Sequence, residues 1–158
     1  IAPVEPAIEN PLQGSLDWQG STLGSPLGAM ISFHIVFEGG ALTLLERLAR
    51  SLPCPLFRAI NAKVIVDEAR HNAFGTKYVR DHLPDISSEE RLEIFAHVAG
   101  LWLDCAKITE NRYSIPIALV THLKSNYLAE NWELQKFQLV KIGLVTASEA
   151  TMIEASLR

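Results

Sequence analysis

Cysteine is nearly absent: two occur in 158 residues, Cys54 and Cys105, far apart and outside any Cys-x-x-Cys pair. That spacing excludes a zinc ribbon or a dense disulfide framework and leaves two buried free thiols as the expectation. Charge is also scarce, at 20% of residues, with 14 basic against 18 acidic side chains. A formal net charge of -4 provides no basic surface for a nucleic-acid backbone or an anionic membrane, so neither is expected as a partner. No stretch holds the ~18 or more uninterrupted apolar residues of a membrane span, and the N-terminus lacks the basic-then-apolar layout of a signal peptide. A cytoplasmic location is the expectation. Strict apolar/polar alternation and internal repeats are missing too, which argues against strands and solenoids.

What is present is an apolar composition of 48%, enough for one compact domain with a sizeable core. Residues 1–27 are dense in Pro, Gly, Ser and Asn and read as a loop. Since residue 1 is Ile and domains seldom start with so long a free loop, this segment is expected to be the end of a crossover in a longer product. Residues 28–158 read as all-α. A first helix is expected over about 28–51, ending before Pro53 and Pro55, and a second over about 56–83, ending before Pro84. Ser87 and Glu90 form a capping-box signature for a third helix over 88–108, with Leu92, Phe95, Ala99 and Trp102 on its core face. After a break at Asn111 to Pro116, apolar residues from Leu119 to Leu144 suggest one long or broken helix, followed by a short one over 147–157.

Two helices carry acids where apolar residues belong. Glu38 interrupts a stripe formed by Ile31, Ile35, Leu42 and Leu45. Glu68 and His71, one turn apart, lie on a stripe with Leu56, Ile60, Val64 and Gly75. Both stripes are expected to face the core, and a buried carboxylate is costly without compensation. Two acids and one imidazole converging from adjacent antiparallel helices suit a divalent metal, which supplies the missing positive charge.

The string Asp67-Glu68-Ala69-Arg70-His71 resembles the Asp-Glu-x-Arg-His motif of ferritin-like di-iron oxygenases, and the thirty-residue separation of Glu38 and Glu68 is similar to the ligand spacing of that superfamily. The resemblance covers about residues 28–83. It implies a ferritin-like helical bundle in which Glu38, Glu68 and His71 bind two iron ions, or an iron/manganese pair, with O₂ as co-substrate. It further implies that Asp67 hydrogen-bonds a His ligand from the opposite helix pair and that Arg70 ties this supporting shell together, neither of them touching metal. His34, one turn before Glu38, is a ligand, a supporting histidine or a core histidine, with the supporting or core reading favoured. Gly39 and Gly40 leave room beside the metals or permit a local distortion. His82 is expected to cap its helix, and Tyr78 and the tryptophans to serve in packing. His97 and His122 lack the Glu-x-x-His spacing and read as core or surface residues.

Such sites use one Glu from each of two helices and a Glu-x-x-His from each of the other two. No second Glu-x-x-His follows His71. The other half is therefore expected either from a preceding helix pair, which the crossover-like loop favours, or from a second copy of the chain in a dimer. The leading functional expectation is an oxidase or oxygenase acting on a small organic or acyl substrate. The alternatives are iron storage with ferroxidase activity, or a structural helical protein without metal.

Overall fold

The structure, a computed structural model, describes residues 25–112 and 127–157. Most of the expected N-terminal loop, residues 113–116 of the expected break, and Leu119, His122 and Leu123 lie outside the described residues, while Asn111, where that break is expected to begin, is still helical. Within them the protein is all helix, in the order α1 (Pro26–Met30), a π-helical segment (Ile31–Phe37), α2 (Glu38–Ser51), α3 (Pro55–His82), a 3-10 turn (Leu83–Asp85), α4 (Ser88–Arg112), α5 (Tyr127–Lys141) and α6 (Ala147–Ser156).

Prolines set the early boundaries. Pro26 and Pro55 occupy first-turn positions, where a missing N–H costs nothing, and Leu52 leaves α2 in extended backbone ahead of Pro53. Ser87 Oγ accepts from the Glu90 N–H at 3.1 Å, half of the expected box. A complete capping box closes the start of α6, where Thr146 and Glu149 satisfy each other's backbone N–H groups. Between α5 and α6 the chain turns at Gly143, whose φ of +87° favours glycine, so the long helix expected to reach Leu144 stops at Lys141.

The first helix is continuous from Pro26 to Ser51 but is not uniform. Ser32 donates its hydroxyl to the Gly28 carbonyl, an i−4 back-bond that competes with the regular ladder. Beyond it the ladder widens, and the Glu38 N–H reaches Phe33 O, five residues back. By length and composition this 26-residue run is also long and apolar enough to cross a membrane, although interspersed polar residues break the uninterrupted run sought in the sequence. Half of its most apolar window is buried inside the described fold.

The core joins α1 and the π segment to α4, α5 and α6. Ile31, Ile35, Ile94, Phe95, Leu139 and Leu144 are at most 2% exposed. Each such side chain contributes ~1.5–3 kcal/mol when fully buried. The expected face of α4 is borne out: Phe95 and Ala99 are buried, and Leu92 and Trp102 pack against the core. Helix α3 departs from expectation. Of its 28 residues only Asn61, Gly75 and Val79 are buried. Leu56 is 69% exposed and Ile60 57%, so the stripe expected to face the core faces outward along much of its length. Spacing marks a face as apolar but does not say what covers it, and α3 packs chiefly against the first helix. Cys54, expected as a buried thiol, is exposed at the cap of α3.

Candidate metal centre

Two polar links and one close approach hold α3 against the first helix. Asn61 Nδ2 donates to Leu45 O at 2.7 Å, and Asn72 Nδ2 donates to His34 O at 2.9 Å and Ile35 O at 3.2 Å. As the partner number rises along α3 it falls along the first helix, so the pair is antiparallel. At Gly75 the helices approach closely, and a Cβ there would lie 2.4 Å from His34 Cβ.

This antiparallel contact brings the three expected ligands together. Glu38, Glu68 and His71 each offer a donor atom, all within 4.8 Å of one another. Glu38 is 8% exposed, so its carboxylate does point inward, as its stripe predicts. Its Oε1 lies 3.5 Å from His71 Nδ1, and Glu68 Oε2 lies 4.0 Å from the same nitrogen. Two ligands of one ion, each bonded at about 2.0–2.2 Å, are at most roughly 4.4 Å apart, and both carboxylate oxygens lie within that distance of His71 Nδ1. Two carboxylates and a neutral imidazole carry a charge that one divalent ion balances.

His34 lies directly against Glu38, where a supporting histidine would stand. Its Nδ1 lies 2.7 Å from Glu38 Oε2 in a hydrogen bond, while its ring packs edge-on to Phe33 and Phe74, with centroids 5.3 and 6.1 Å away. Glu38 is thus flanked by two imidazoles, one on each oxygen. Behind it, α5 supplies buried amides: Gln135 Nε2 donates to Asn131 Oδ1 at 3.0 Å, and Asn131 Nδ2 donates to Gly40 O at 3.2 Å. Gly39 and Gly40 permit this approach, since a Cβ on Gly39 would sit 2.6 Å from Gln135 Oε1. Arg47 and Glu130, 3.0 Å apart, clamp the same two helices further along.

Asp67 and Arg70 do not reach the ligands. They pair with each other at 2.9 Å, with side chains 64% and 74% exposed. His82 caps α3 as expected, with Nδ1 2.8 Å from Tyr78 O, and its ring stacks on Tyr78. Asn72, Asn131 and Gln135 escaped the sequence reading because single amides carry no spacing signature.

No family model, no curated protein and no solved structure matches this chain. The chemistry of the site has to be argued from its own donor set and surroundings. Two oxygens and one nitrogen, on a face of α3 left open to further ligands, make an incomplete coordination sphere rather than a closed one. Oxygen and imidazole donors without thiolate suit iron, manganese or zinc over copper(I).

Proposed function

We propose that this chain supplies half of a carboxylate-bridged dinuclear metal site on a ferritin-like helical scaffold, and that the completed protein is a non-haem di-iron, or iron/manganese, oxidase or oxygenase. The observation that carries the reading is the convergence of Glu38, Glu68 and His71 beneath an uncovered apolar face. A second helix pair, from a preceding segment or from a second copy in a dimer, would bring the same donor set to that face and complete the two-Glu, two-Glu-x-x-His arrangement. When bound, the metal pair activates O₂ for oxidation of an organic substrate. Glu38 and Glu68 would hold the cations and His71 would add an imidazole nitrogen, while His34 fixes the orientation of the Glu38 carboxylate through its hydrogen bond. Asp67 and Arg70 are exposed and could meet the completing helix pair, and the exposed Phe33, Phe37 and Phe74 would form an apolar wall that excludes water once that pair covers them.

A metal-free structural reading draws on one specific observation, the hydrogen bond from His34 to Glu38, which already compensates the inward acid. Metal analysis of the intact chain expressed with iron separates the two. About one iron per chain, or two per completed bundle, is expected. The double variant Glu68→Ala, His71→Ala should lose it. Absence of bound iron or manganese, together with a Glu68→Ala variant at least as stable as the parent, overturns the proposal in favour of the structural role.

A further inference from the structure

Counting hydrogen bonds along the first helix singles out one carbonyl. The Glu38 N–H bonds to Phe33 O, five residues back, and from Glu38 onward the helix is α, with four-residue spacing. The next N–H in that spacing belongs with Ile35 O, so His34 O is passed over by the ladder. A carbonyl passed over by the ladder at a part-buried position needs another donor. Asn72 Nδ2 reaches across from α3 to His34 O at 2.9 Å and shares itself with Ile35 O at 3.2 Å. It follows His71 directly in sequence, so the backbone that carries one candidate ligand also carries the donor that closes the gap in the helix bearing another.

We propose that Asn72 is a positioning residue for the metal site: by satisfying His34 O it holds the π segment open and fixes the azimuth of Glu38 and His34 relative to His71. The inference rests on the metal reading above. Loss of the π offset would turn one side of the segment against the other by about 100°, the step of one α-helical residue. With Ile31 and Ile35 anchored in the core, Glu38 would swing away from His71. The amide is suited to the task because one NH₂ group serves both carbonyls, and Gly39 leaves space for it, a Cβ there lying 3.0 Å from Asn72 Nδ2.

Asn61 is a built-in control, since it makes the same kind of side-chain-to-carbonyl bond between the same two helices, at Leu45 O, away from the ligands. The experiment is a cobalt(II) titration of the intact chain, followed by visible absorption, on the parent and on Asn72→Ala, Asn72→Leu and Asn61→Ala, with thermal melts alongside. Asn72→Leu keeps most of the side-chain volume without a donor and serves if the alanine variant fails to fold. Both Asn72 variants are expected to bind cobalt 10–100-fold more weakly, the usual effect of losing a group that orients a ligand. Asn61→Ala should lose thermal stability while binding within about threefold of the parent. Equal weakening in the Asn72 and Asn61 variants, or parent-like affinity in a folded Asn72 variant, overturns the positioning role. A parent chain that binds no cobalt overturns the metal reading itself, a result distinct from either of those.

Discussion

The contact between Gly75 and His34 yields the sharpest test of how the two ligand-bearing helices are held. In Gly75→Ala the new methyl would lie 2.4 Å from His34 Cβ and 3.4 Å from its Cγ. The first atom is fixed to the backbone and cannot rotate away, so the helices must separate. Overpacking of this kind costs ~1–3 kcal/mol, and the rigid obstacle places this case near the upper end. Replacing a mid-helix glycine by alanine returns about 0.8–1.0 kcal/mol of helix propensity. The net loss is then about 2 kcal/mol, or roughly 4–8 °C in melting temperature for a chain of this size. Gly100→Ala isolates the propensity gain, because no described atom lies within 4 Å of a Cβ at that position in α4. It should raise the melting temperature by roughly 1–4 °C. Calorimetry on the parent and the two variants decides the matter. A Gly75→Ala protein that melts at or above the parent temperature would refute the close approach, and with it the geometry that brings Glu38 to His71.

Two further outcomes follow from features outside the site. Thr146→Ala removes the side-chain half of the capping box on α6 and should cost ~1 kcal/mol in urea unfolding, with Thr146→Ser recovering most of it. His97 on α4 is held below its ordinary value of 6.5 by burial, so the unfolded chain takes up its proton at a higher pH than the folded one. Its contribution to stability is therefore complete above pH 6.5 and falls as the pH drops below it. The parent should lose stability between pH 7.5 and pH 5.5 faster than His97→Gln, and parallel pH profiles would show that the burial has no energetic weight.

Much of the architecture was legible because local chemistry dictated it. Pro53, Pro55 and Pro84 bracket the first two long helices, and a carboxylate among isoleucines was enough to mark Glu38 as inward. The spacing of Glu68 and His71 put them on one side of α3, where both face Glu38. The π segment was not legible, because over seven residues a wider helical period still aligns Ile31 with Ile35 and differs little from the usual one. The outward turn of Leu56 and Ile60 was hidden for another reason: periodicity reports that a face is apolar, and only tertiary packing decides what covers it. The partner implied for Asp67 and Arg70 belongs to an opposite helix pair, and among the described residues they pair with each other. The ferritin-like topology itself depends on how a second helix pair would sit, which no spacing within these residues encodes.

In a helix of uniform pitch, every residue's direction is tied to every other's, so that re-aiming one side chain re-aims them all. The extra residue between Ile31 and Phe37 uncouples the two ends of the first helix. Upstream, Leu27 and Ile31 answer to the packing of the core. Downstream, Glu38 answers to the chemistry across from it on α3. Substitutions that adjust how the core fills space can accumulate on one side of that joint without disturbing the aim of the carboxylate on the other. A one-residue deletion inside the joint, harmless to composition and apolarity alike, would force both halves to share a single register again.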